Sequence, residues 1–172
     1  MKKLFIILIF LISASVYAGD FTVSVPSAKN GMFGNGQVLN GFGCSGGNIS
    51  PEIVWQNPPE GTKSFALTIY DPDAPTGSGW WHWVVTDISA DTRRIATGSV
   101  PNGAQESATD FGKPGYGGPC PPAGTTHRYV VTVTALKTEK LGISPSASGA
   151  MAGFMINMNA ITKASAIIKY GR

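Results

Sequence analysis

DPDAPTGSGWWHWVV (71–85) joins a proline-punctuated turn to an apolar run, and that junction decides the fold. Pro72 and Pro75 fix φ and remove two backbone donors. Asp71 and Ala74, each preceding a proline, are pushed toward extended conformations. Thr76 to Gly79 loops, and an apolar run begins at Trp80 that reads as a strand, with WHWVVTDI (81–88) as its body. Alternate side chains of a strand share a face. Trp80, His82 and Val84 are therefore predicted on one face, and Trp81, Trp83 and Val85 on the other. Upstream, SFALTIY (64–70) is a strong strand that runs directly into Asp71.

The second of the two histidines lies in a matching context. GKPGYGGPCPPAGTTHRYV (112–130) is again a Gly/Pro-rich loop running into a β-prone segment. His127 and Tyr129 share one face of that strand and Arg128 takes the other. Both histidines thus stand at the start of a strand behind a Pro/Gly-rich loop, and this parallel is the main functional clue.

Outward from these stretches, FTVSV (21–25), EIVW (52–55), RYVVTVTAL (128–136) and ASAIIKY (164–170) read as further strands, with Val131, Val133 and Ala135 on one face. Residues 29–50 are rich in Gly and Asn and read as loops with short irregular strands. Residues 89–126 are long and weakly patterned, and part of them is expected to line a site. Ser144 or Ser146 would cap a late helix. On it Met151, Phe154, Met155, Met158 and Ile161 follow i, i+3, i+4, i+7 spacing, which predicts one apolar face packed on the core. Many strands and one helix predict a mainly β, antiparallel domain over residues 19–172.

Residues 1–18 read as a cleaved signal peptide. Lys2 and Lys3 precede the apolar run LFIILIFLI (4–12), and Val16-Tyr17-Ala18 is a small-residue cleavage pattern. The run is shorter than the roughly 20 residues a membrane span requires, so no stable membrane insertion is expected. The localisation implied is periplasmic or secreted. The chain carries 13 Lys and Arg against 10 Asp and Glu. Losing Lys2 and Lys3 leaves it nearly neutral, without the broad basic surface that nucleic acid requires. Cys44 and Cys120 are the only cysteines, and in an exported chain an even pair reads as a disulfide. The same pair as metal ligands or a redox couple would lack C-x-x-C spacing.

NISPEIVW (48–55), EGTKSFALTIYDPDAP (60–75), GWWHWVV (79–85) and GPCPPAGTTHRYVV (118–131) together resemble the signature regions of the phosphatidylethanolamine-binding protein family. That family includes Raf kinase inhibitor protein, and the likeness is greatest to its bacterial YbhB/YbcL branch, the exported YbcL type in particular. The resemblance covers most of residues 20–172. It implies two antiparallel sheets packed as a sandwich with Greek-key connections, plus a peripheral C-terminal helix. It also implies a ligand pocket at Asp71, Pro75, Trp80, His82, Pro121, His127 and Tyr129, taking phosphate-like groups or a phospholipid headgroup such as phosphoethanolamine.

The residue chemistry agrees with an anion pocket. Two imidazoles converging on a phosphate give short, charge-assisted hydrogen bonds. Asp71 is expected to accept from His82 and fix its tautomer, and Asp73 to bond backbone within its own turn. Arg128 is expected to form an ion pair. A metal site built from two histidines and a carboxylate would lack H-x-x-x-H spacing, and a Ser-His-Asp hydrolase would lack a G-x-S-x-G elbow. The expectation is therefore a binding protein with no catalysis, cofactor or metal. The competing reading is an interaction protein that inhibits a kinase, protease or other enzyme partner by surface docking.

Overall fold

Among residues 19–172, which the computed structural model describes, the chain forms ten strands and one helix. Residues 1–18, read above as a signal peptide, lie outside the described residues. The strands are β1 (Thr22–Ser24), β2 (Asn40–Gly41), β3 (Cys44–Ser45), β4 (Ile53–Gln56), β5 (Ser64–Asp71), β6 (Trp80–Ser89), β7 (Arg94–Ile95), β8 (Gln105–Glu106), β9 (Thr126–Leu136) and β10 (Ala160–Gly171). The helix α1 spans Gly149–Asn159. The large sheet runs β10-β9-β5-β6-β8, a smaller one β1-β4-β7, and β2-β3 is a separate pair. All of these pairings are antiparallel. β5 and β6 are sequential neighbours, but the chain then crosses to the far side of β5 to lay down β9.

The two larger sheets close on one core, which makes the molecule an antiparallel β-sandwich. Phe65, Leu67 and Ile69 from β5 and Val131, Val133 and Ala135 from β9 meet Ile53, Trp55 and Ile95 of the small sheet. Alternation along β5 and β9 puts all of these side chains on one face. Each is at most 1% exposed, which places the apolar driving force for the fold here.

The predicted alternation of β6 fails at two points: near Thr86 and Asp87, where Phe65 pairs with Ile88 but Leu67 with Val85, and at His82. Ile69 pairs with Trp83, but the next residue, Tyr70, pairs with Trp81, so His82 is unmatched and forms a β-bulge. Trp83 and Val85 stay on the core face. Beyond the bulge the parity inverts. Trp81 turns to the outer face against Tyr70, with ring centroids 4.8 Å apart. Trp80 and His82 line a cavity on the inner side.

Trp81 in turn determines how α1 docks. Ser148, rather than Ser144 or Ser146, caps the helix, its Oγ accepting from the Met151 N–H at 3.2 Å. The face toward the sheet is Gly149, Ala152 and Ile156, not the predicted methionine-rich one. A Cβ on Gly149 would lie 2.3 Å from Trp81 Cγ, so only glycine admits the indole. Met151, Phe154, Met158 and Ile161 are instead exposed. Among the described residues no helix is long and apolar enough to cross a membrane.

Candidate functional site

β5, β6 and β9 each deliver a side chain to one cavity of about 180 Å³. Asp71 ends β5, Trp80 and His82 open β6, and His127 and Tyr129 open β9. Pro75 from the 72–79 turn and Pro121 from the 112–125 loop complete the predicted set, so all seven residues line a single cavity. Sequence reading missed Phe42 and Phe111, which line it as well. Phe111 lies in the long segment expected to contribute to the site. Phe42 sits in a glycine-rich loop beside Cys44, where a large aromatic ring is itself an anomaly.

Asp71 is 3% exposed, and its carboxylate serves two elements. Oδ1 accepts the backbone N–H groups of Asp73 and Ala74, at 2.8 and 3.1 Å, and so fixes the proline turn. Oδ2 accepts from Nδ1–H of His127 at 2.8 Å. The predicted partner, His82, is bonded elsewhere: its Nδ1–H donates to the Gly117 carbonyl at 2.7 Å. Strand pairing accounts for the exchange. Tyr70 pairs with Val130, which brings the end of β5 beside the start of β9, while the bulge carries His82 toward the 112–125 loop.

Asp73 does not bond its own turn as predicted. It accepts from Arg128 through the backbone N–H at 2.8 Å, Nε at 2.9 Å and a terminal nitrogen at 2.6 Å. The Arg128 guanidinium holds the Asp73 carboxyl down at about 2, against an ordinary 3.8. This half-exposed ion pair, on the strand face predicted for Arg128, ties the turn to β9 from outside the pocket.

The two imidazoles are alike in an important respect. A carbonyl or a carboxylate takes each Nδ1–H, and neither Nε2 bonds to a described residue. Burial pushes the His82 pKa below the usual 6.5, against the opposing pull of the Gly117 carbonyl and the charge of Asp71. Its resting form is the neutral ring with Nδ1 protonated, leaving Nε2 as an acceptor until a proton arrives. Tyr129 packs edge-on against His82, with centroids 5.1 Å apart. Its hydroxyl is buried without a partner among the described residues. Burial also raises the Tyr129 pKa above 10, so the phenol keeps its proton and can donate. Among the described residues no lysine or arginine lines the cavity. Cys44 and Cys120 are disulfide-bonded with Cα atoms 6.0 Å apart, which joins the β2–β3 pair to the loop before His127.

Comparison with known proteins places this arrangement among relatives. Residues 29–171 match the family described as phosphatidylethanolamine-binding protein. UPF0098 protein YbhB of Escherichia coli is 52% identical over 134 residues, covering 74% of this chain and 85% of that protein. UPF0098 protein YbcL of the same organism is 48% identical over 162 residues, covering 89% and 88%. The crystal structure of E. coli YbcL, described as a member of the mammalian PEBP family, superposes with a TM-score of 0.86 at 45% identity. It covers 90% of this chain and 99% of that one. With the sandwich and the family's signature stretches both in place, this chain belongs to the phosphatidylethanolamine-binding protein family, in its UPF0098 group.

Proposed function

We propose that the protein is an exported, non-catalytic binding module whose pocket takes the phosphate of a small phosphate ester or phospholipid headgroup, phosphoethanolamine being the reference ligand. The observation that carries this reading is that two buried imidazoles line one cavity, each with Nδ1 committed and Nε2 without a partner among the described residues. The oxygens of Asp71 are engaged by His127 and the turn, and its negative charge favours a protonated His82.

Calorimetric titration with phosphoethanolamine tests the reading. His82→Ala and His127→Ala are each expected to weaken binding by about 1.5–3 kcal/mol, the range for hydrogen bonds to charged groups. Unchanged affinity in both variants would remove the pocket from the argument. A second reading, inhibition of a protein partner by docking, is favoured by the exposed Met151, Phe154 and Met158 on α1. Docking through that surface would survive the loss of both histidines.

The direction of pH dependence follows from His82. Burial holds it neutral in the free protein, and a bound dianion favours its protonated form. The complex then holds a proton that the free protein lacks, so affinity is expected to rise as pH falls from about 8 toward 6. The rise ends near pH 6, where phosphate takes its own second proton. Titration in buffers of different ionisation enthalpy should show net proton uptake, and proton release would contradict the scheme.

Export is checked separately. Protein from the native host is expected to begin near Gly19 by mass spectrometry. Intact Met1 in the soluble cytoplasmic fraction would overturn the localisation.

A further inference from the structure

We propose that Phe42 is a selectivity residue, which makes the pocket prefer phosphate esters of apolar alcohols to inorganic phosphate; the proposal rests on the phosphate reading of the pocket. Phe42 and Gly43 form the two-residue turn between β2 and β3, where Gly41 pairs with Cys44. Both have positive φ, 52° for Phe42 and 80° for Gly43. A turn of this kind favours Asn-Gly or Gly-Gly, and a bulky side chain in the left-handed region is strained. The ring gains no burial in compensation, since Phe42 is 69% exposed, the most of any large apolar residue described. A strained backbone carrying an exposed aromatic ring is a poor choice for folding and a reasonable one for a ligand contact.

Its surroundings agree. Phe42 stacks on Phe111, with centroids 6.0 Å apart and planes 20° from parallel, and Phe111 meets both Trp80 and His82 edge-on. The aromatic series therefore leads from the imidazole out to the pocket's edge. Phe42 and Phe111 also line a second cavity of about 230 Å³, so they stand where a ligand would leave the histidine pocket. The tip is held on both flanks. The disulfide fixes Cys44, and the Arg172 guanidinium donates to the carbonyls of Gly43 at 2.9 Å and Pro121 at 2.7 Å. An exposed ring held this firmly is already in place to meet the carbon adjoining a bound phosphate, which lowers the ordering cost of binding.

The test compares inorganic phosphate with butyl phosphate on wild-type protein, Phe42→Gly and Phe42→Asn. Both replacements suit a left-handed turn, so both are expected to fold with melting temperatures close to the parent. Wild-type protein is expected to bind butyl phosphate about tenfold more tightly than inorganic phosphate, the equivalent of burying roughly two CH₂ groups. Both variants should lose that ratio, with butyl phosphate binding weakened more than inorganic phosphate binding. A ratio preserved in folded variants, or absent from the wild type, overturns the role of Phe42 and leaves the pocket standing. Failure of the wild type to bind either phosphate overturns the pocket reading and this proposal with it.

Discussion

Breaking the Cys44–Cys120 bond is expected to lower the unfolding free energy by about 4 kcal/mol, the value chain entropy gives for a loop of this size. The residues are 76 apart in sequence, and the loop they close contains β4 to β8. At roughly 2–4 °C per kcal/mol for a domain of this length, a Cys44→Ala/Cys120→Ala variant should melt about 10 °C lower. Urea unfolding of the variant beside the parent measures it, and a shift under about 1 kcal/mol would show that the bond constrains little in the unfolded chain. Binding should suffer less than stability. Arg172 still links Gly43 to Pro121 across the same gap, so the pocket wall keeps one fastening when the covalent one is gone.

Asp71→Ala is expected to cost about 3–5 kcal/mol of stability, the penalty for breaking a buried pair by removing one partner. Three donors lose their acceptor at once: the N–H groups of Asp73 and Ala74, and Nδ1–H of His127. Asp71→Asn separates the two duties. Its carbonyl can still hold the turn, but its NH₂ would face a donor at His127. The ring must then exchange tautomers, accepting at Nδ1 and carrying its proton on Nε2. A phosphate would meet a neutral donor there, and the loss of the Asp71 charge removes one of the influences that favour a protonated His82. Asp71→Asn is therefore expected to weaken phosphoethanolamine binding by less than His127→Ala does, and to flatten its pH dependence. Calorimetry across about pH 6 to 8 reads both quantities. A slope as steep as the parent's would show that Asp71 has no part in proton uptake at the site.

The residues of the pocket were legible in the sequence, while some of their connections were not. Strict alternation in SFALTIY and RYVVTVTAL located β5 and β9 to within two residues, because their inward faces are uniformly apolar. Those faces place His127, Tyr129 and Asp71 without further information. WWHWVV misleads because tryptophan suits either face of a strand, so nothing in the pattern marks where one residue falls out of pairing. The histidine partners were misassigned for the same reason. On α1, spacing marked an apolar stripe that faces solvent and whose last member, Ile161, lies in β10, and it could not reveal that a tryptophan from β6 would require glycine beneath it. Phe42 was passed over because glycine-rich loops are read for their turns and not for the one large side chain within them.

The unmatched His82 in β6 has a consequence for which length changes the chain can absorb. The turn at 72–79 lies between two strands whose pairing resumes at Asp71 and Trp80, so an added residue at an exposed position such as Gly77 leaves every downstream side chain facing as before. Between Trp81 and Trp83 the arithmetic is different. Deleting His82 would do more than remove an imidazole, because it would close the bulge at this point and leave no unpaired residue between Trp81 and Trp83. Insertions and deletions here thus act on parity where substitutions act on chemistry. A homologous strand one residue shorter at this point would have lost its histidine and, with it, the unpaired position beside the cavity from which another side chain could take its place.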